Sequence, residues 1–316
     1  MKILISGGLG FIGHEVVRCL SQDHSIMVVD NMTNYDFIPL DQMMKLFQLR
    51  QSDLRNQVPT RRIDIRDRGT VQKCFDDFQP DVVIHLASYP RQKLVQENPS
   101  VASETMSTGL INLLEASKGH VSKFVYISSS MVYGDFDDMV KETHECKPRG
   151  QYAIMKYMGE KLVEDYKKHF DYTIIRPSAV YGPRDVEDRV LSKFVIGALR
   201  GETLEVRGAT EILDFTYSTD TAQGIALAAT KACKYDIYNI TRCESTPITL
   251  EKAALTAIGL AGQGSIKLME RDLDFPSRSR LDNTRAIRDL GYNPTVDFKD
   301  GCAQYIDWVK AHLNIF

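Results

Sequence analysis

The chain has 316 residues, 43% of them hydrophobic, which is enough to bury one large α/β domain or two smaller units that share a cleft. A formal net charge of −3 argues against a protein built around nucleic acid or an anionic membrane surface. No apolar run approaches the roughly 20 residues needed to cross a bilayer, and the short apolar start before Gly7 is unlike a signal peptide. Six scattered cysteines without a C-x-x-C pair indicate reduced thiols, no metal site and a cytoplasmic protein.

Short apolar strands alternate with amphipathic helical stretches as far as about residue 177. Strands that are nearly continuous in Val, Ile and Leu are typical of a sheet buried on both faces, and alternation with helices implies parallel strands. Right-handed crossovers then predict a doubly wound, Rossmann-type α/β sheet. The predicted strands are 2–6, 25–30, 60–65, 81–87, 123–128 and 172–177, and the predicted helices are 70–78, 106–118 and 151–170.

The regular alternation fades after about residue 176, where Gly and Pro punctuate shorter elements. We therefore expect a cofactor-binding unit over 1–175 and a smaller α/β substrate-binding region over 176–213 and 241–316. The stretch 214–229 is expected to return to the main sheet. Residues from 214 to about 240 are therefore assigned to the cofactor-binding unit. A long insertion at 34–57 has an amphipathic centre that predicts a helix.

Three glycines, Gly7, Gly10 and Gly13, lie between the first strand and the first helical pattern. A strand, a glycine loop and a helix N-terminus together place free N–H groups against a phosphate, although such a loop alone is weak evidence. Asp30 ends the second strand, where a carboxylate would accept hydrogen bonds from the ribose hydroxyls and would repel a 2′-phosphate. The glycine loop and Asp30 together predict a dinucleotide cofactor and favour NAD over NADP. Asp64-Ile65 either flanks the adenine or is an ordinary capping pair.

Tyr152 and Lys156 are four residues apart on one helix and therefore lie on one face. A nearby ammonium lowers the pKa of a phenol, so such a pair can exchange a proton with a substrate hydroxyl. Upstream, the run Ser128, Ser129 and Ser130 follows a strand, and strand carboxyl ends are where open α/β sheets bind ligands. The residues alone do not select one serine over the others.

Eight segments occur in an order that resembles the extended short-chain dehydrogenase/reductase family, in its nucleotide-sugar epimerase/dehydratase branch. The resemblance spans nearly the whole chain. The segments are the Gly7/Gly10/Gly13 loop, Asp30, Asp64-Ile65, HLAS at 85–88, SSSMVYG at 128–134, Tyr152 with Lys156, RPSAVYGPR at 176–184 and LDNTRAIRDLGYNP at 281–294.

The resemblance implies NAD as the cofactor and a nucleoside-diphosphate sugar as the substrate. It makes Ser129, four residues before the Tyr of V-Y-G, a catalytic residue with Tyr152 and Lys156. The NAD-binding residues that it implies are Gly7, Gly10, Phe11, Ile12, Gly13, Asp30, Asn31, Asp64, Ile65, Leu86, Ala87, Ser88, Tyr152 and Lys156.

In this family NAD takes a hydride, usually from C4 of the sugar, and the keto intermediate then determines the product. Dehydratases and decarboxylases resemble one another in carrying acidic residues just after the active serine or threonine, where this chain has Ser130 and Met131. That absence favours 4-epimerisation or simple redox at C4.

The substrate site departs from the family pattern at three positions. Ala179 stands where an Asn often binds substrate, Leu213 replaces an Arg that contacts pyrophosphate, and Met106 replaces an Asn. The substrate-binding residues that the resemblance suggests are Ser129, Ser130, Ala179 and Arg271, with further cations at Arg91, Lys93 and Arg184. Lys93 or Arg91 could hold a sugar carboxylate, or both could be ordinary loop charges.

Three hypotheses follow. The leading one is an NAD-dependent nucleotide-sugar 4-epimerase acting on a UDP-hexose or UDP-uronate, and the second is a 4-dehydrogenase or 4-ketoreductase with net redox. A non-catalytic NAD-binding protein is disfavoured because Ser129, Tyr152 and Lys156 are all present. The family also suggests a homodimer formed through helices within 101–118 and 151–170, with no nucleic-acid or membrane partner.

Overall fold

The computed structural model describes residues 1–34, 38–54 and 58–316. The strands are β1 Lys2–Ser6, β2 Ser25–Asp30, β3 Thr60–Arg62, β4 Val82–His85, β5 Lys123–Ile127, β6 Asp171–Pro177, β7 Ala179–Tyr181, β8 Thr203–Arg207, β9 Phe215–Tyr217, β10 Ile237–Ile240 and β11 Ser265–Met269. The helices are α1 Phe11–Leu20, α2 Leu40–Asp53, α3 Arg68–Phe78, α4 Gln92–Glu97, α5 Pro99–Ser103, α6 Gly109–Ser117, α7 Gln151–Asp165, α8 Val190–Leu199, α9 Ser218–Thr230, α10 Leu250–Ala261, α11 Thr284–Leu290 and α12 Phe298–Ala311.

Seven strands form the main sheet, in the order β10-β6-β5-β4-β1-β2-β3, and every neighbouring pair is parallel. The predicted Rossmann-type sheet is thereby confirmed. Between β1 and β4 the winding direction of the chain reverses, which opens a crevice at the carboxyl ends of these strands. The expected ligand site of the fold is at this switch point.

Both faces of the main sheet are covered, as the continuous apolar strands predict. Ile3 and Ile5 pack on one face with residues of α1 and α9, whereas Leu4 points to the other face and packs with residues of α3 and α6. This alternation follows from the two-residue repeat of a strand. Near-complete burial of the central strands fixes the register that brings the strand ends together.

Four short strands and three helices form a second, smaller layer with its own apolar core. Two short parallel sheets, β7 with β9 and β8 with β11, pack with α8, α10 and α12. The prediction that 214–229 returns to the main sheet is wrong: the stretch forms β9, in a small sheet with β7, and then α9, which packs on α1. The strand that joins the main sheet is β10, beside β6.

Several predicted elements differ from the observed ones at their ends; the fourth strand, predicted at 81–87, is Val82–His85. The third strand stops at Arg62 because the Asp64 carboxylate accepts a hydrogen bond from the Arg66 backbone N–H at 2.9 Å, a local turn that competes with the sheet ladder. The helix expected at 106–118 is divided into a π-helical turn, Glu104–Thr108, and α6. The helix expected at 151–170 ends at Asp165.

The insertion at 34–57 contains the expected helix, α2. Its residues 35–37 and 55–57 lie outside the described part of the chain. Within the described ranges, no helix is both long enough and apolar enough to span a bilayer. Nor does the described part contain a group of three or more His, Cys, Asp or Glu side chains that could hold a metal ion.

Candidate active site

A cavity of about 980 Å³ opens at the carboxyl ends of the main-sheet strands and continues into the smaller layer. Its walls include Gly7 after β1, Asp30 at the end of β2, Leu86 after β4 and Ser129 after β5. On the opposite side it is lined by residues of α8 and β8, among them Phe194 and Leu204. The cavity therefore lies where the switch point predicts a ligand.

The glycine loop forms a cradle that side chains would fill. Gly7 has a φ of +75°, and a Cβ on it would lie 2.6 Å from the backbone nitrogen of Ala87. A Cβ on Gly13 would lie 2.1 Å from the carbonyl oxygen of Gly7. Helix α1 begins at Phe11 with Gly10 as its N-cap and without a side-chain cap, so its N-terminal N–H groups are available to a pyrophosphate.

Asp30 closes the other end of this loop. Its carboxylate accepts hydrogen bonds from the backbone N–H of Leu9 at 3.0 Å and of Met32 at 2.8 Å. Burial raises the pKa of Asp30, and these two N–H groups oppose that rise. The acid thus lies beside the loop in the position suited to ribose hydroxyls.

Arg50, on α2, was missed by sequence reasoning. It is 3% exposed and donates hydrogen bonds to the carbonyl oxygens of Leu9 at 3.2 Å and Arg184 at 2.7 Å. Burial lowers its pKa to about 10. The available signal was its position: it lies on the same helical face as the buried Leu46 and Phe47, where an arginine needs a partner.

The cavity brings together the residues implied for NAD with one exception. Asp64 does not line it, since its carboxylate binds the Arg66 guanidinium at 2.7 Å. The lining members are Gly7, Gly10, Phe11, Ile12, Gly13, Asp30, Asn31, Ile65, Leu86, Ala87, Ser88, Tyr152 and Lys156. NAD fits this site because the glycine cradle, the uncapped helix and the single ribose-side carboxylate are all present.

Lys156 and Tyr152 extend from α7 into the cavity beside β5. The Lys156 ammonium donates to the carbonyl oxygen of Ile127 at 2.8 Å and lies 5.9 Å from the centroid of the Tyr152 ring. Burial lowers the pKa of Lys156 to about 7, against the opposing effect of Glu160. Near neutral pH this amine is therefore poised between its two charge states.

The environment of the Tyr152 phenol is cationic. Burial raises its pKa, while Arg189, a hydrogen bond with Ser129, and then Arg278 and Arg91 act to lower it. Opposite charges and donated hydrogen bonds favour the phenolate. Because burial is the largest of these effects, the pKa of Tyr152 stays above its ordinary value, and the cations and Ser129 offset only part of that rise.

Close packing fixes the position of α7. The side chain of Gln92 accepts a hydrogen bond from the Tyr152 backbone N–H at 3.2 Å, and a Cβ on Gly150 would collide with that side chain at 1.9 Å. Near the middle of the helix, a Cβ on Gly159 would lie 2.1 Å from the Tyr126 hydroxyl of β5. The helix thus rests directly on the main sheet, at a depth that only glycine allows.

Behind Lys156 is a buried ion pair that sequence reasoning also missed. The Glu160 carboxylate accepts from the Arg176 guanidinium at 2.6 Å and 2.9 Å, and both side chains are 2% exposed. Arg176 also stacks 4.7 Å from the centroid of the Tyr133 ring. The sequence did contain a signal for Glu160: it follows Lys156 by four residues, as Lys156 follows Tyr152, so all three lie on one face of the helix.

The three serines that follow β5 have different partners. The Ser128 hydroxyl donates to Glu160 at 2.5 Å, away from the Tyr152 ring. The Ser129 hydroxyl accepts from the Met131 backbone N–H at 3.2 Å, and it is the serine that acts to lower the pKa of Tyr152. Ser130 is 1% exposed and lies 3.5 Å from the Ser178 hydroxyl. The geometry therefore favours Ser129 as the serine beside the phenol.

Most of the cations suggested for the substrate lie in ion pairs. Arg91 pairs with Asp188, and Arg271 lies 3.6 Å from Glu211. Lys93 is exposed at the cavity wall. Arg184 pairs with Asp53 and is not among the lining residues of the cavity.

The positions that depart from the family pattern are also placed. Ala179 and Leu213 line the cavity, whereas Met106 is buried against Tyr89 and Tyr152. Arg189 and Arg278, like Arg50, line the cavity and were not selected from the sequence. Arg189 pairs with Asp185 at 3.0 Å, and Arg278 donates to the Ser130 hydroxyl at 3.3 Å.

A doubly wound sheet with a glycine-cradled dinucleotide site, joined to a Tyr–Lys proton-transfer pair, defines a nicotinamide-dependent enzyme of the short-chain dehydrogenase/reductase kind. The chain belongs to the NAD dependent epimerase/dehydratase family, whose model matches residues 3–241. It is an enzyme of the extended branch, and its cofactor is NAD.

The relatives of the chain have more than one activity. It is 30% identical over 323 residues to a dTDP-glucose 4,6-dehydratase of an Actinoplanes species, with 99% of each chain covered. It is 26% identical to the UDP-glucuronic acid 4-epimerase of Bacillus cereus solved with UDP-glucuronic acid and NAD, with a TM-score of 0.89 over 99% of this chain and all of that one. The UDP-glucose 4-epimerase of Thermus thermophilus with NAD is 25% identical, with a TM-score of 0.86 over 98% of this chain and 99% of that one.

Proposed function

We propose that the protein is an NAD-dependent nucleotide-sugar 4-epimerase that acts through a transient 4-keto sugar. The observation that carries this proposal is the pair of residues after Ser129. Ser130 and Met131 are both buried and carry no carboxylate, whereas elimination or decarboxylation of a keto sugar needs an added acid or base. With Tyr152, Lys156 and Ser129 together, the site supports oxidation and reduction at one carbon without those further steps.

The residues of the chain move one proton in each direction. Tyr152 takes the proton of the 4-hydroxyl, and the Ser129 hydroxyl orients the same oxygen through its hydrogen bond to the phenol. Lys156 in its ammonium form stabilises the phenolate. NAD held by the glycine cradle and Asp30 would supply the hydride acceptor, and in reduced form the hydride donor, for C4. Tyr152 then returns the proton, and C4 is inverted when the ring has presented its opposite face.

We also propose a division of the cavity by unit. The glycine cradle and Asp30 hold NAD in the unit formed by 1–175 and about 214–240. The nucleotide-sugar binds across the region of 176–213 and 241–316, which contributes Phe194, Leu204 and Arg271 to the lining. Leu213 and Ala179 line the same part of the cavity, and neither side chain can bind pyrophosphate by charge or by hydrogen bond. This keeps a 4-dehydrogenase or 4-ketoreductase with net redox as the second candidate.

The test is a panel of UDP-, dTDP-, GDP- and CDP-sugars incubated with purified protein. Proton NMR reads the stereochemistry at C4 while NADH absorbance is followed. We expect an inverted C4 coupling pattern without NADH accumulation. A 4-ketone with stoichiometric NADH would favour the dehydrogenase, and a 4-keto-6-deoxy product would identify a dehydratase.

We further propose a homodimer formed through α5, α6 and α7. Each of these helices leaves a large apolar side chain exposed: Val101, Ile111 and Ile154, the last of them 52% exposed. Burying such side chains against a second copy is favourable at about 25 cal/mol per Å². Light scattering should report a dimer for the wild type and a monomer for Ile154→Glu. The matched control is Leu255→Glu on α10, which is 50% exposed outside this surface.

A further inference from the structure

Arg278 lines the cavity beside Tyr152 and has no carboxylate within ion-pair distance among the described residues. It lies in the segment between β11 and α11, and it donates a single hydrogen bond, at 3.3 Å, to the Ser130 hydroxyl. Its Nε is buried and has no hydrogen-bond partner among the described residues. By contrast, Arg189 and Arg271 each lie within ion-pair distance of a carboxylate.

No carboxylate contacts this guanidinium, and Glu211 acts on its charge only from beyond ion-pair distance. Burial lowers the pKa of Arg278 to about 10, which still leaves the group protonated at neutral pH. Holding a partly buried charge without a counterion is costly, and an arriving anion would relieve that cost. A guanidinium also offers paired N–H donors that match the two oxygens of a carboxylate.

The neighbours of Arg278 place it at the reacting end of the sugar. Tyr152 is the titratable neighbour with the largest effect on the pKa of Arg278, followed by Glu211, and Ser130 directly follows Ser129 in the chain. The Ser130 hydroxyl lies within reach of both Arg278 and Ser178, at 3.3 Å and 3.5 Å. Ser130 accepts from Arg278 and donates its single proton to Ser178, so it donates to a second oxygen of the same anion once its O–H turns away from Ser178.

We propose that Arg278, with Ser130, recognises a carboxylate on the sugar, so that the substrate is a nucleoside-diphosphate sugar acid and not a neutral sugar. The inference rests on the proposed function, because it assumes a nucleotide-sugar whose C4 hydroxyl meets Tyr152. It assigns the carboxylate to Arg278 in preference to Arg91, which is paired with Asp188.

The experiment compares UDP-glucuronate with UDP-glucose, which differ in the carboxylate alone, and repeats the comparison with the dTDP sugars. Turnover by NMR and binding by calorimetry are measured for the NAD-bound wild type, Arg278→Gln, Arg278→Lys and Arg280→Gln. Arg280 is the matched control, because it donates to the backbone carbonyls of Glu244 and Ser245 and is not a lining residue. Thermal melting checks that each variant is folded.

We expect the wild type to prefer the acidic sugar. Arg278→Gln should lose about 10- to 100-fold in kcat/KM and affinity for the sugar acid, the range of a hydrogen bond to a charged group. Its affinity for the neutral sugar and for UDP alone should change less than about threefold, and Arg278→Lys should fall between. Arg280→Gln should keep the wild-type preference.

The other outcomes separate the two proposals. Equal losses for both sugars, together with weaker binding of UDP, would place Arg278 on the pyrophosphate and overturn the inference. Equal losses with a shifted pH profile of kcat would make it a positioning residue for Tyr152, which also overturns it. Epimerisation of neutral sugars only would leave the proposed function standing without the inference. Arg278-dependent preference for binding the sugar acid, without any turnover, would support the inference and overturn the proposed function. If neither sugar binds, the proposed function and the inference are both overturned.

Discussion

The two ends of the cavity are built by different means. The NAD end consists of backbone groups and missing side chains: Gly7, Gly13 and the uncapped start of α1, all within the first turn after β1. The end proposed for the substrate includes charged side chains held by partners far along the chain, such as Arg91 and Asp188, which are 97 residues apart. A site made of backbone tolerates no added atoms, whereas a site made of ion pairs is altered by changing one charge.

The largest expected effect separates chemistry from cofactor binding. Tyr152→Phe removes the proton carrier, and we expect kcat to fall about a thousandfold, within the range for loss of a general acid–base group. NAD affinity should stay within about threefold, because the cradle is untouched. Turnover by NMR and NAD binding by calorimetry measure the two quantities. Tyr157→Phe on the same helix is the control, and an equally inactive control would sink the assignment.

The next prediction concerns the buried ion pair behind Lys156 and its contribution to stability. Glu160→Gln leaves the Arg176 guanidinium buried without its counterion, and we expect about 3–5 kcal/mol lower free energy of unfolding. Urea denaturation measures this loss. Glu164→Gln, one turn further on and paired with Lys161 at the surface, should change stability by less than about 1 kcal/mol. Equal losses of stability in the two variants would show that the buried pair stabilises the fold no more than the surface pair does.

Adding one methyl group to the glycine cradle should weaken NAD binding. In Gly13→Ala the new Cβ would lie 2.1 Å from the Gly7 carbonyl oxygen, so the loop must move away from its phosphate-binding shape. We expect about 100-fold weaker NAD binding, corresponding to about 3 kcal/mol. Gly259→Ala on α10 meets no atom within 4 Å and should stabilise the protein slightly. Unchanged NAD affinity in Gly13→Ala would contradict the cradle.

The smallest expected effect is a gain in stability. Lys156→Met removes a buried amine, and we expect about 1–2 kcal/mol higher free energy of unfolding for the NAD-free protein, with loss of activity. The gain is limited because the hydrogen bond to Ile127 is also lost.

This variant also has a pH signature. Because the folded pKa of Lys156 is about 7 and its ordinary value is 10.5, the unfolded chain binds more protons between these pH values. Wild-type stability should therefore rise with pH across this window, and the variant should lack that slope. Urea denaturation at several pH values measures it. An identical slope in both proteins would mean that Lys156 is not the titrating group.

The NAD end could be predicted from the sequence because its parts are local. A strand, three glycines and Asp30 follow one another within 30 residues, and the parallel sheet brings Ser129 and Leu86 to the same edge. Asp64 lies outside because it finds a partner two residues away in Arg66. The substrate end was less accessible: the pairing of Arg184 with Asp53 depends on α2 reaching across the chain. No spacing pattern reveals which arginine remains unpaired, so Arg278 emerged only from the structure.

The contact at Gly159 has a consequence for how such an enzyme can be modified. Because α7 rests on Tyr126 of β5, the reactive phenol takes its alignment from the main sheet and not from the loops that meet the sugar. A displacement of about 1 Å at a reacting group can cost a hundredfold in rate. The alignment of the phenol thus depends on the packing of α7 on β5, and the segments on the opposite side of the cavity, such as α8 and β8, take no part in that packing. Grafting them from a relative should redirect specificity while leaving the proton-transfer geometry in register.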